Sequence, residues 1–214
     1  MSAENFDRWL YETQARSQGY QCIVGVDEAG RGPLAGPVVA AAVLLPVDFV
    51  ADGVRDSKLM TPKSRDKMFE TIMERALAVG VGIVGPEVID DINILRATHV
   101  AMRTALSDLS VACDFILVDG LPVPDLPAPS QAIVKGDSKS ISISAASIIA
   151  KVTRDNIMID FDLQYPQYGF ASHKGYGSAQ HLSALNQYGP CPCHRRSFAP
   201  VAERIANCRL PGLE

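Results

Sequence analysis

The sequence lacks a long hydrophobic run: its longest strongly apolar stretch, Val38 to Leu45, is stopped by Pro46. That is far short of the ~20 residues a membrane span needs, and it predicts a buried strand. A secretory signal is missing as well, because the opening Met-Ser-Ala-Glu-Asn-Phe-Asp-Arg-Trp-Leu carries acids and no apolar segment. The mature chain is therefore expected to be the whole chain. Cysteine is scarce and odd in number, five at irregular spacing, which argues against a disulfide framework and for reduced thiols in the cytoplasm. There is no basic excess either. A net charge of −4 and a pI near 5.6 do not advertise a nucleic-acid binder. Internal repeats and low-complexity segments are also lacking, which excludes solenoid architectures.

What is present is enough for one large domain: 214 residues, 47% of them hydrophobic. Charge is unevenly spread. From Lys135 to Leu210 there are nine Lys/Arg against five Asp/Glu, so the net of −4 divides as +4 there and −8 elsewhere. An acidic front and a basic back suit a carboxylate site facing a polyanion, although chance asymmetry of solvated faces would look the same.

Phe6, Trp9, Leu10 and Thr13 recur at helical spacing and predict a helix over 4–17, ended by Gly19. Tyr20 to Asp27 and Gly36 to Leu45 are β-rich, and a short glycine-rich link makes them an antiparallel hairpin. Thr61-Pro62 is an N-cap followed by proline at the first helical position, with a helical pattern running on to Gly80. A short strand over 81–84, a helix over 93–110 and the strand Phe115 to Asp119 follow. After a proline-rich loop come a strand over 131–135, a turn at Gly136-Asp137 and a long helix over 144–161. Beyond Pro166 the chain is loop-rich, with short helices near 178–188 and 200–208. This order predicts an α/β fold, a central mixed sheet flanked by helices, with a catalytic domain over 1–165 and a helical extension over 166–214.

Asp27 ends a near-continuous apolar strand, where a carboxylate is costly unless solvated, hydrogen-bonded or bound to a cation. Glu28 beside it has no better packing reason. One alternative has either acid capping the Gly30-Arg31-Gly32 turn or pairing with Arg31. Asp119 and Asp137 repeat the strand-end placement. Four acids converging on one sheet edge would repel and raise one another's pKa unless a cation held them. Oxygen-only ligands select hard cations, Mg²⁺ or Mn²⁺, and two such ions can drive phosphodiester hydrolysis. Gly30 and Gly32 let a backbone approach a ligand closely, and Arg31 between them offers a fork for phosphate. Their spacing is not the dinucleotide fingerprint, and a strand follows rather than a helix, which disfavours a dehydrogenase.

The run from Val26 to Val43, VDEAGRGPLAGPVVAAAV, strongly resembles the start of bacterial ribonuclease HII, the type 2 ribonuclease H family. Further blocks resemble the family in order: Asp56-Ser57-Lys58, Leu117 to Gly120, Lys135-Gly136-Asp137, Ser144 to Asp155, Tyr168-Gly169-Phe170, His173 to Tyr176 and His194 to Phe198. The resemblance implies a ribonuclease H-like fold with Asp27, Glu28, Asp119 and Asp137 as the catalytic metal ligands. It implies cleavage of RNA in RNA/DNA hybrids and 5′ of a lone ribonucleotide in duplex DNA, leaving 3′-hydroxyl and 5′-phosphate ends. In that reading Gly30, Arg31 and Gly32 sense the ribose 2′-OH, the group by which proteins tell RNA from DNA. Tyr176 packs on the next sugar. Lys58, Lys139, Lys174, Arg195 and Arg196 are phosphate contacts, each equally readable alone as a solvated charge.

Ser178 stands where the family usually has Thr. Cys191-Pro192-Cys193-His194 looks briefly like a soft-metal site but lacks a spaced second ligand pair. His173, His181 and His194 are candidate proton shuttles. Expected partners are RNA/DNA hybrids and ribonucleotide-containing duplex DNA, with no membrane and a monomeric protein. The rivals are another ribonuclease H-like nuclease or strand transferase acting on branched DNA, and a non-catalytic hybrid-binding module.

Overall fold

The structure, a computed structural model, describes residues 7–50 and 60–208. By contact the chain forms two units. The first draws on Met1–Ala29, Val39–Ile83 and His99–Val152, the second on Gly30–Val38, Val84–Thr98 and Thr153–Glu214. The segment after the first strand and the stretch around Pro86 group with the C-terminal helices in the second unit.

The first unit holds a five-stranded sheet ordered β3-β2-β1-β4-β5. β1 (Ile23–Ala29) and β2 (Val38–Leu44) form the expected antiparallel pair, with Val24 opposite Leu44 and Ala29 opposite Val39. β4 (Phe115–Asp119) lies parallel to β1, and β5 (Ser130–Ile133) parallel to β4. Every residue of β2 is buried, which is why it reads as an unbroken apolar run rather than an alternation. Gly25 of β1 is a point of close approach, since a Cβ there would lie 2.1 Å from the backbone of Ser142.

α1 (Leu10–Ser17) sends Glu12 into the interior, where its carboxylate accepts from Ser140 Oγ at 2.6 Å and from the Ser142 N–H at 3.0 Å. An acid at the start of α5 (Ile141–Gln164) meets the positive end of that helix. α2 (Pro62–Arg75) starts as expected, with Thr61 Oγ1 accepting from the Ser64 N–H at 3.2 Å. It does not reach Gly80. The chain turns extended at Ala76, the Leu77 N–H donates to the Leu44 carbonyl at 2.9 Å, and Ala78–Val84 becomes β3. Sheet pairing outcompetes a helical periodicity that leaves only Ile72 of α2 buried. Gly80 and Gly82 let β3 lie against α4 (Ile94–Ser107), where a Cβ would sit 2.1 and 2.0 Å from the carbonyl oxygens of Ala105 and Ala101.

In the second unit α3 (Pro86–Ile92), unpredicted from sequence, precedes the later part of α5. α6 (Phe170–His173), α7 (Ala179–Tyr188) and α8 (Ala199–Cys208) complete it. Ala35, Met158, Tyr168, Phe170, Ala184, Cys191 and Cys193 form one core cluster. Leu34, Leu185 and Val201 form another. Among the described residues no helix is long and apolar enough to cross a membrane.

Candidate active site

β1 presents Asp27 and Glu28 in succession, the first buried at 4% exposure and the second half-buried. Val26 is level with Val118 in the parallel β1–β4 register. The next residue on each strand is an aspartate, so Asp27 and Asp119 stand on neighbouring strand ends. The Asp119 carboxylate accepts the Gly136 N–H at 2.6 Å. That bond ties the end of β4 to the 3₁₀ turn Gly136–Ser138 carrying Asp137, itself 5% exposed. The carbonyl of Asp137 accepts from Arg8 at 3.2 Å and from the Ser144 hydroxyl, which fixes the turn from behind.

Burial holds Asp27 well above the ordinary carboxylate range, and the charges of Glu28 and Asp119 push the same way. Hydrogen bonds from Ser147 and from the Glu28 N–H, the latter 2.7 Å, oppose the shift without reversing it. Glu28 and Asp119 therefore both act on Asp27 electrostatically, while Asp137 is placed through the bond between Asp119 and its turn. Their oxygens do not close into one tight shell. Among the described residues, the group whose ligand atoms all lie within 4.8 Å of one another is Cys191, Cys193 and His194. Mutual repulsion keeps bare carboxylates apart, and an oxygen-only donor set around a buried acid fits a hard divalent cation.

Ser147 was not among the residues singled out from sequence. Its signal was there: a hydroxyl one turn after Ile143, within a helix segment, Ile141 to Ala150, that is buried throughout.

The second unit holds the loop Gly30 to Pro37 by means of two buried arginines. Arg195 is 0% exposed, and its guanidinium donates to the carbonyls of Gly36 at 2.9 Å, Arg31 at 3.0 Å and Gly30 at 2.6 Å. Arg154, 1% exposed, donates to Pro37 at 3.0 Å, Ala35 at 3.1 Å and Lys174 at 3.0 Å. Burial pulls both guanidinium groups down from their ordinary pKa, Arg195 to about 9. Arg195 is thus corrected from a phosphate contact to an anchor, since a side chain spent on three carbonyls and sealed from solvent has no fork left for a polyanion. Arg154 was missed. It lies between Ala150 and Met158 at steps of four, on a stripe otherwise apolar.

Arg31 and Arg196 are exposed, and Tyr176 is 49% exposed. The Arg196 N–H is held by Asp90 at 2.8 Å, leaving its side chain on the surface. Lys139 Nζ donates to the Val134 carbonyl at 2.8 Å and Lys174 Nζ to the Ala171 carbonyl at 2.7 Å, both half-buried. Lys58 lies outside the described residues. His181 at 0% and His194 at 1% exposure are sealed away from solvent, against a proton-shuttle role, and burial lowers His181 to about 4. His173 is half-buried, with Nε2 2.9 Å from the Tyr168 carbonyl.

The two loop glycines have different reasons. Gly30 has φ +98° and a Cβ there would meet Arg154 Nε at 2.1 Å, so the fold itself demands glycine. At Gly32 a Cβ would meet only the Tyr176 ring at 3.7 Å, ordinary contact on an exposed backbone. Gly30→Ala is expected to destabilise the protein by about 2 kcal/mol or more in chemical denaturation. Gly32→Ala is expected to leave stability within about 0.5 kcal/mol yet lower activity, because the extra methyl faces outward beside Tyr176.

Among solved structures, the ribonuclease H2 from Pyrococcus horikoshii OT3 is 30% identical with a TM-score of 0.74, covering 89% of this chain and 100% of that one. The Bst-RNase HIII structure in complex with Mn²⁺ shares the fold at 19% identity and a TM-score of 0.70, covering 92% of this chain and 73% of that one. The class is therefore the ribonuclease H-type nucleases. The family Ribonuclease HII matches residues 24–201. Ribonuclease HII of Geotalea daltonii is 54% identical over 92% of both chains, and that of Geobacter sulfurreducens 56% identical over 94% of this chain and 93% of its own. The chain belongs to the ribonuclease HII family and is a metal-dependent endoribonuclease.

Proposed function

We propose that this enzyme cleaves the RNA strand of RNA/DNA hybrids and nicks duplex DNA 5′ of a single embedded ribonucleotide, leaving 3′-hydroxyl and 5′-phosphate ends. Asp27, Glu28, Asp119 and Asp137 hold Mn²⁺ or Mg²⁺, and the protein acts as a monomer in the cytoplasm. The observation that carries this reading is Asp27, a carboxylate buried beside Glu28 and Asp119 with its pKa raised by all three circumstances. A cation stabilises the charged form of such a group, which its two hydrogen bonds favour without offsetting the burial and the neighbouring charges. When bound, a pair of hard divalent ions supplies an activated water and neutralises charge on the leaving oxygen.

The chain's own groups position the rest. The Ser147 hydrogen bond orients Asp27, and the Gly136 N–H orients Asp119. Gly30 is two residues beyond Glu28, so its Cα lies within about 7 Å of that of Glu28, whatever the loop's path. In this reading backbone groups at Gly32 and the Arg31 fork test for a 2′-OH. Tyr176, against Gly32, packs on the following sugar. Lys139, Lys174 and Arg196 contact phosphates.

A duplex carrying one ribonucleotide, incubated with Mn²⁺ or Mg²⁺, tests the reading. A single nick 5′ of the ribonucleotide, with an all-DNA control intact, is the expected result. No nick, or equal cutting of the control, would overturn it.

A further inference from the structure

The Cys191-Pro192-Cys193-His194 turn takes no part in the nuclease chemistry above, yet it gathers three metal-ligating atoms in one place. Cys191 Sγ is 3.0 Å from Cys193 Sγ and 3.1 Å from His194 Nδ1. All three residues are buried, at 7%, 5% and 1% exposure. The turn is closed by the His194 N–H on the Cys191 carbonyl at 3.0 Å. Cys191 and Cys193 are free thiols, as are the remote Cys22 and Cys113. Two thiols and an imidazole form a soft donor set, opposite in character to the oxygen-only set of the acids.

The histidine is already in the tautomer that ligation needs. His181 Nδ1 lies 2.9 Å from the Tyr176 carbonyl, which can only accept, so that nitrogen carries the hydrogen. His181 Nε2 then accepts from His194 Nε2 at 3.0 Å, and His194 Nδ1 is left as an acceptor that takes the Cys191 N–H at 3.0 Å with Cys191 Sγ 3.1 Å away, a bond that an ion bound there displaces. A ligating histidine that donates its other N–H to a fixed acceptor is the usual supporting arrangement at metal sites.

We propose that Cys191, Cys193 and His194 form a second metal site, taking one thiophilic cation of the zinc class, separate from the carboxylates. Binding replaces the thiol protons, which leave to solvent, and no redox step is involved. Zn–S bonds of about 2.3 Å in tetrahedral geometry put two sulfurs about 3.8 Å apart, so the thiols part by less than an ångström when the ion replaces the proton between them. A water fills the remaining position from the cavity of about 230 Å³ lined by Pro192, Cys193, Phe161 and Tyr165.

The ion would act as a clip. The Cys193 carbonyl accepts the Gly36 N–H at 2.8 Å, and the Arg195 guanidinium two residues on pins Gly30, Arg31 and Gly36. Fixing the turn therefore steadies the base of the Gly30 to Pro37 loop.

The test uses full-length reduced protein, stripped by chelator and titrated with Co²⁺ in excess Mg²⁺, which keeps the hard sites filled. A thiolate-to-cobalt charge-transfer band saturating at one equivalent and abolished by Zn²⁺ is expected. Cys191→Ser and Cys193→Ser should each lose it, while Cys22→Ser and Cys113→Ser keep it. Absence of the band in folded wild-type protein, or an unchanged band in Cys193→Ser, overturns the proposal. So does loss of two titratable thiols before any metal is added, which marks a disulfide. Ribonucleotide nicking in Mg²⁺ is read on the same samples, so failure of the thiol site and failure of the nuclease reading are separately visible.

Discussion

Asp27→Asn is expected to reduce nicking of a ribonucleotide-containing duplex by about a thousandfold or more, while raising the melting temperature of the metal-free protein at neutral pH. Asn keeps the shape and an acceptor oxygen but cannot balance a divalent cation. The stability gain follows from the sign of the pKa shift. Burial, then Glu28 and Asp119, raise the folded-state pKa of Asp27. A raised carboxylate favours folding fully below the unfolded pKa of about 3.9, and this contribution is lost as pH rises through the folded value. At pH 7 the metal-free fold bears the cost either of ionising a buried Asp27 among like charges or of protonating it, and Asn removes that cost. The difference in melting temperature between wild type and variant should shrink as pH falls, and added Mn²⁺ should stabilise the wild type more. Thermal scans at two pH values, with and without Mn²⁺, check this. A less stable metal-free variant at pH 7 would show that Asp27 is a structural acid rather than a metal ligand.

Arg195→Met is expected to cost about 3 kcal/mol or more in denaturant unfolding, and to lower activity further than the lost stability explains. Met fills similar space without donors. It leaves the buried carbonyls of Gly30 and Gly36, and the partly buried one of Arg31, without their donor, at about 1–3 kcal/mol for a buried group left unsatisfied. Arg195→Lys should recover only part of the loss, since one ammonium cannot reproduce a planar fork reaching three carbonyls. Arg196→Met, one residue away on the surface, is the control and should stay within about 0.5 kcal/mol. Equal effects at the two positions would remove Arg195 from its anchoring role.

The elements most legible in the sequence were those whose pattern is local. The β1–β2 hairpin, the strand ending at Asp119 and the Thr61 cap could be placed because apolar runs, short links and capping residues act on their neighbours. β3 was half seen and α2 drawn too long, because Ala76 to Gly80 satisfies a helical period but is claimed by hydrogen bonds to a strand more than thirty residues earlier. α3 and α6, short and without a clear apolar face, gave no periodic signal. Around the acids, Asp27 was conspicuous because burying a charge at the end of an apolar strand has no packing reason. Ser147, which supports it, was inconspicuous because a serine in a small-residue helix is unremarkable until the helix is laid against the sheet. Arg195 went the other way: beside Arg196 it reads as surface charge, and burial alone separates the two.

The sequence by itself determined the acids, the glycine-arginine-glycine loop, the sheet's central strands and, through ordered motifs along the chain, the family. These depend on residue type, spacing and period, which a chain carries before it folds. Only the tertiary structure decided that Arg195 and Arg154 face inward to hold the loop, that His181 and His194 are sealed, and that Cys191, Cys193 and His194 meet. Those facts depend on which groups lose water and which carbonyls they find. Both are properties of packing between segments distant in the sequence.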